Sequence, residues 1–143
     1  MNANTETILV VDDDPDFVLQ TRMMLEVAGY KVLAATSLKE ADEVLALNKP
    51  DLIVADLMME YLDAGLVLCH RVKKKDPHMP VILVTAVTSE TGVEFEITSS
   101  DERSWIKADA ILTKPVRSGQ LKSEIDRLLQ GKREAVQGAQ AHA

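Results

Sequence analysis

Five short apolar runs rich in branched side chains, 8–11, 31–35, 52–56, 81–85 and 110–112, alternate along the chain with segments whose apolar residues recur at about 3.6-residue spacing. A strand followed by a helix and another strand returns the chain to the edge where it began, so repeating the unit builds a parallel sheet with helices on its faces. Four of the five runs are almost wholly apolar, as strands covered on both sides require. The helical segments carry their own punctuation. Asp14 is placed to cap the first, Pro15 sits at its first position and Gly29 just past its end. Ser37 and Glu40 open the second with a capping-box pattern and bury Leu38, Ala41 and Leu45. The third runs over 64–75 and stops before Pro77. The fourth, 118–130, presents Leu121, Ile125 and Leu128 on one face, with Gly131 as its stop. The pattern predicts one α/β domain over 1–131, a doubly wound five-stranded sheet, followed by a flexible tail over 132–143 that is rich in Ala, Gln and Gly.

Charge narrows the function. With 16 basic against 23 acidic residues the net charge is −7, and the basic runs HRVKKK and GKRE are short, so a nucleic-acid surface built on clustered Lys and Arg is not expected. The single cysteine, Cys69, rules out an internal disulfide and shares a helical face with Leu66 and Val72, which reads as core. His70, His78 and His142 show no metal-ligand spacing and read as surface residues. No charged-then-apolar leader opens the sequence and no apolar run approaches ~18 residues, which predicts a cytoplasmic chain without a membrane span.

The stretch ILVVDDDPDF is harder to explain by folding alone. Asp12, Asp13 and Asp14 are adjacent, and like charges at that spacing repel and raise one another's pKa. Asp14 is accounted for as a helix cap. In an open parallel sheet the ligand site lies beyond the carboxyl ends of the strands, where strand order switches. Asp12 and Asp13 end the first run, Asp56 the third and Thr85 the fourth, and Lys114 follows the fifth, so all five fall on one rim. Three carboxylates gathered there call for a hard divalent cation with oxygen ligands, which points to Mg2+. Singly, Thr85 reads as a strand-end hydroxyl, Lys114 as a loop lysine and Asp56 as a turn cap. Jointly those readings need five coincidences on one rim.

Over residues 7 to 131 the chain resembles the receiver domain of two-component response regulators. ILVVDD resembles the acidic pair after the family's first strand, DLIVADLMM the segment with the phosphoacceptor, LVTA the strand ending in a hydroxyl residue and LTKP the lysine–proline turn. The resemblance implies a flavodoxin-like (βα)5 fold with strand order 2-1-3-4-5. It also implies Asp56 as phosphoacceptor, Asp12 and Asp13 as metal carboxylates, Met58 as a metal ligand through its carbonyl, Thr85 as a hydrogen-bonder to the phosphoryl group and Lys114 as its cation. The implied role is a signalling module rather than an enzyme. A histidine kinase or histidine phosphotransfer protein would stand upstream; the twelve residues after Gly131 are too few for an output domain, so output is expected through an unidentified protein target or a domain outside this chain, with a stand-alone receiver as the simplest reading.

The chain departs from that pattern in four places. The loop after Asp56 has Glu60 and Ala64 where the family carries proline and glycine, with Gly65 one place late. Ile111 stands where a switching aromatic is usual. Met58 and Val87 flank the expected path of water to the phosphoryl group, and neither can act as a base, which implies a long-lived phosphoaspartate. The link between Thr85 and Lys114 is about seven residues longer than the family's norm, and its GVEFEI alternates in period two, implying an extended piece, then a short helix near 101–108. Segment 88–108 is the expected seat of switching.

Two rival readings come from other classes. A hydrolase of the haloacid dehalogenase type would explain Asp12-x-Asp14, but Asp16 stands where a threonine or valine is expected and no cap domain is in view. A pseudo-receiver, binding partners without phosphorylation, ranks second because the acidic pocket is intact.

Overall fold

A computed structural model describes residues 6–59, 64–86 and 108–141. Strands β1 (Thr7–Val11), β2 (Lys31–Ala35), β3 (Leu52–Asp56), β4 (Val81–Ala86) and β5 (Ala110–Lys114) form one parallel sheet in the order β2-β1-β3-β4-β5. Four helices are described: α1 (Pro15–Val27), α2 (Leu38–Leu47), α3 (Ala64–Lys75) and α4 (Ser118–Ala141). The switch in strand order falls between β1 and β3, which sets the ends of those two strands side by side.

Period-two alternation explains why the strand runs are so uniformly apolar. Ile8, Val10, Leu52, Val54, Ile82 and Val84 point to the face covered by α1 and α4, where Val18, Leu25, Leu121, Ile125 and Leu129 meet them. Leu9, Val11, Ile53, Ala55, Val81 and Leu83 point to the opposite face, under Leu38 and Ala41 of α2 and Leu66, Leu68 and Cys69 of α3. Each fully buried Leu or Ile contributes about 2 kcal/mol relative to exposure, and both faces share that gain.

The helix ends follow the sequence signals with two exceptions. Asp14 caps α1 by accepting from the Asp16 amide, at 3.0 Å. At the other end Gly29, at φ 99°, takes the left-handed turn that only glycine adopts freely. The amides of Tyr30 and Gly29 then bond back to the carbonyls of Leu25 and Glu26, at 3.0 Å each, which closes a Schellman motif. Ser37 caps α2 through the Glu40 amide, at 3.0 Å, but the Glu40 carboxylate accepts from the Thr36 hydroxyl. The stop expected at Gly131 is not there. Gly131 lacks the positive φ of a C-terminal cap, α4 runs to Ala141, and Lys132 reaches the Asp51 carbonyl at 3.2 Å. Within α4 it is Leu129, not Leu128, that is fully buried, four residues beyond Ile125. Tyr30 donates to Asp126 and ties the α1–β2 turn to α4.

Cys69 is buried in the core as expected, while His70 is half-buried rather than a surface residue. The expected extended piece at 93–97, Val87, Glu60 and His142 lie outside the described residues, as does all of the helix expected near 101–108 but Ala108, which is not helical. Among the described residues no helix is long and apolar enough to cross a membrane.

Candidate functional site

At the carboxyl ends of β1 and β3 two carboxylates are buried together. Asp12 follows β1 directly; its amide continues the ladder to the Ala35 carbonyl at 3.1 Å, and its side chain has no exposed surface. Asp56 is the last residue of β3, in register with Val84, and is 7% exposed. Asp13 beside it is exposed. One carboxylate oxygen from each of Asp12, Asp13 and Asp56 lies within 4.8 Å of the others.

Each oxygen of the two buried carboxylates has a defined neighbour. Asp12 Oδ1 accepts from the Asp14 amide at 2.9 Å, and Asp56 Oδ1 from the Met58 amide at 3.2 Å. Lys114, the last residue of β5, extends across the rim, and its Nζ donates to Asp12 Oδ2 at 2.8 Å and to Asp56 Oδ2 at 3.4 Å. The expectation that Lys114 follows the fifth strand is corrected here: it pairs with Ala86 inside the sheet, which fixes the root of its side chain. The same ammonium sits 4.4 Å from the centre of the Phe17 ring. Thr85 is buried at the end of β4, opposite Thr113. Among the described residues its hydroxyl makes no hydrogen bond to Asp56 or Lys114.

The electrostatics are unbalanced, with three carboxylates around one ammonium. Burial and the charge of Asp12 push the Asp56 carboxyl up to about 6, against the smaller opposing pull of Lys114 and the Met58 amide. Burial draws the Lys114 ammonium down, but its hydrogen bond to Asp12 and the charges of Asp12 and Asp56 outweigh that and leave it raised, hence charged at neutral pH. A divalent cation fits this donor set. Magnesium takes hard oxygens at ~2.1 Å and so spaces them about 3–4 Å apart, within easy reach of the three carboxylates.

One residue that matters to the geometry carries no chemistry. Gly65, at the start of α3, donates its amide to the Leu57 carbonyl at 2.9 Å, and a Cβ on it would stand 2.2 Å from the Asp56 carbonyl oxygen and 2.7 Å from Leu57 Cα. The glycine that seemed one place late in the sequence is the one on which α3 meets the backbone of Asp56. Its only sequence signal was a glycine within reach of a strand-end aspartate. Ile111, half-buried, packs among the residues under α2 and α3.

Comparison with known proteins agrees with this geometry. The family model described as "Response regulator receiver domain" matches residues 8–126. The transcriptional regulatory protein GlrR of Escherichia coli (strain K12) is 34% identical over 130 residues, 91% of this chain and 28% of that protein. The alkaline phosphatase synthesis transcriptional regulatory protein PhoP of Bacillus subtilis (strain 168) is 32% identical over 122 residues, 85% of this chain and 48% of its own length. The chain thus spans at most half of either relative. Among solved structures, a response regulator receiver domain from Clostridium thermocellum superposes with a TM-score of 0.76 at 26% identity, covering 91% of this chain and 98% of that one. The response regulator TrrA of Thermotoga maritima, solved in complex with Mg(2+)-BeF, has a TM-score of 0.69 at 26% identity, covering 87% and 99%.

Proposed function

The chain belongs to the response regulator receiver domain family, a family of signalling modules, and from that membership we propose that Asp56 accepts a phosphoryl group from a phosphohistidine with Mg2+ as cofactor. The observation that carries the reading is the burial of Asp56 and Asp12 against a single ammonium at the switch point of the sheet. A carboxylate in that position is short of positive charge until a cation arrives, and the same positive charges then face the oxygens of an incoming phosphoryl group.

Each residue then has a physical task. Asp56 Oδ attacks phosphorus in line while the phosphorus–nitrogen bond of the donor breaks, and the imidazole leaves with the bonding pair and takes up a proton. Phosphoryl transfer passes through a loose transition state, so positioning and charge neutralisation carry most of the catalysis. Asp12, Asp13, Asp56 and the Met58 carbonyl would hold Mg2+, whose charge offsets that of the carboxylates and the equatorial oxygens. Lys114 supplies a second positive charge from the β5 side, and Thr85 a hydroxyl donor from β4. The donor is a histidine kinase or a histidine phosphotransfer protein, and the signal passes on through a protein partner. The TrrA complex supports the reading by analogy, since Mg(2+)-BeF occupies a relative of the same fold.

Intact-mass spectrometry after incubation with acetyl phosphate and magnesium tests this. One phosphoryl adduct is expected on the wild type and none on Asp56→Asn, while Asp13→Ala should bind magnesium more weakly and need more of it for uptake. An undiminished adduct on Asp56→Asn would overturn the assignment, and an unlabelled wild type would favour the pseudo-receiver.

A further inference from the structure

The Lys114 ammonium has three N–H donors. Two of its neighbours, Asp12 Oδ2 and Asp56 Oδ2, are carboxylates that a metal and a phosphoryl group must claim. The third neighbour is the ring of Phe17, at 4.4 Å. We propose that Phe17 is a positioning residue for phosphoryl transfer: its ring holds the Lys114 ammonium at the rim while the hydrogen bonds of that ammonium pass from Asp12 and Asp56 to the incoming phosphoryl oxygens. The inference rests on the reading of Asp56 and Lys114 given above.

The ring suits this task better than another carboxylate does. A lysine stem is long and flexible, and once its carboxylate partners are withdrawn only its root in β5 restrains it. The negative face of an aromatic ring attracts a cation without consuming an N–H donor in a fixed direction. The ammonium can therefore exchange hydrogen-bond partners and keep this contact. Phe17 is placed for it by the sequence around it. Asp14 caps α1 and Pro15 starts it, so Phe17 falls in the first turn, next to the rim, while Val18, Thr21 and Leu25 bury the inner face of the same helix. Phe17 and Lys114 line one open groove between α1 and the turn after β5, so dense packing does not force the contact. An aliphatic residue would fill the same corner without attracting the ammonium.

Two readouts test the inference together: the proton and carbon shifts of the Lys114 ε-methylene, and the rate of phosphoryl uptake from acetyl phosphate with magnesium. In the wild type and Phe17→Tyr the ring current should displace the ε-methylene resonance upfield, and uptake should be equal within error. In Phe17→Leu the displacement should vanish and uptake slow about fivefold, the scale of one ammonium–ring contact. Val18→Ala, which thins the buried face of the same turn without touching Lys114, should lower stability and leave the uptake rate near wild type. Wild-type uptake by Phe17→Leu, equal slowing of the Leu and Tyr variants, or equal slowing by Val18→Ala would each refute the positioning role. If the wild type takes up no phosphoryl group, or Lys114→Ala takes it up at full rate, the reading of the site itself has failed and the role of Phe17 falls with it; a labelled wild type with an indifferent Phe17→Leu refutes the ring alone.

Discussion

Lys73 and Lys114 each bring an ammonium to a carboxylate at one end of the same sheet, but the two ends are balanced differently. At the amino ends of β4 and β5, Lys73 Nζ meets Asp109 Oδ2 at 2.6 Å, and the same oxygen accepts the Val81 amide at 2.8 Å. One cation faces one anion, and a backbone donor completes the shell. At the carboxyl ends Lys114 faces Asp12 and Asp56, with Asp13 close by, and the anions outnumber it. The first pair is complete as it stands, tying α3 to the strands. The second is an excess of negative charge held in place by the fold. A charge-balanced pair that keeps its carboxylate in contact with water reads as structure, and an unbalanced buried cluster as a site awaiting a ligand.

The contrast breaks most sharply at the Asp56 carboxyl. Its pKa is raised from 3.8 to about 6 in the fold, so the folded protein keeps a proton that the unfolded chain gives up. The stability this group contributes is complete below about pH 4 and is lost as pH rises through about 6. Metal-free Asp56→Asn should therefore be more stable than the wild type at pH 7.5, by on the order of 2–3 kcal/mol, and nearly equal to it at pH 4. Urea denaturation in the presence of a chelator checks this; equal stability at pH 7.5 would mean that the rim carries no excess charge.

The balanced pair should behave in the opposite sense. Lys73→Met leaves the Asp109 carboxylate with the Val81 amide and water, and should cost about 1 kcal/mol at neutral pH. Adding Asp109→Asn to that variant should recover part of the loss, since a neutral side chain needs no counter-charge. Thermal denaturation of the single and double variants measures both, and no recovery would place the effect in packing of the lysine stem.

The smallest effect belongs to an ion pair that is neither buried nor unbalanced. Arg71 and Asp42 meet at 2.8 Å between α3 and α2, both about half exposed. Arg71→Ala should change stability by no more than ~0.5 kcal/mol and lose even that in 1 M salt.

Much of the fold was legible because burial on both faces writes a strand as an unbroken apolar run. β2 and β3 fall where those runs lie, and β1, β4 and β5 begin or end only one or two residues away. Asp12, Asp56 and Thr85 were legible for a related reason, since polar residues that end an apolar strand fall at the rim, whereas Lys114 was read as following its strand and proved to be part of it. What escaped the sequence depends on distance in space. Lys73 and Asp109 are 36 residues apart and neither ends a motif. Leu128 and Leu129 both fall at a helical spacing from Ile125, and the choice between them depends on the exact pose of α4 on the sheet. Gly131 was a plausible stop, yet a glycine inside a helix costs only about 1 kcal/mol, and its bond-forming neighbours carry the helix through. Phe17 carried no signal of its own in the sequence, since its place beside the Lys114 ammonium is set by the fold.

The close seat of Gly65 on the Asp56 peptide has a mechanical consequence. Where side chains separate two elements, a small displacement of one is absorbed by rotamers before it reaches the other. At Gly65 no side chain separates α3 from the Asp56 peptide, because a Cβ would stand only 2.2 Å from the Asp56 carbonyl oxygen, and the two backbones are bolted by the Gly65 amide to Leu57. A shift of the Asp56 main chain is therefore delivered to the first turn of α3 with little damping, through a joint that has no side chain to absorb it.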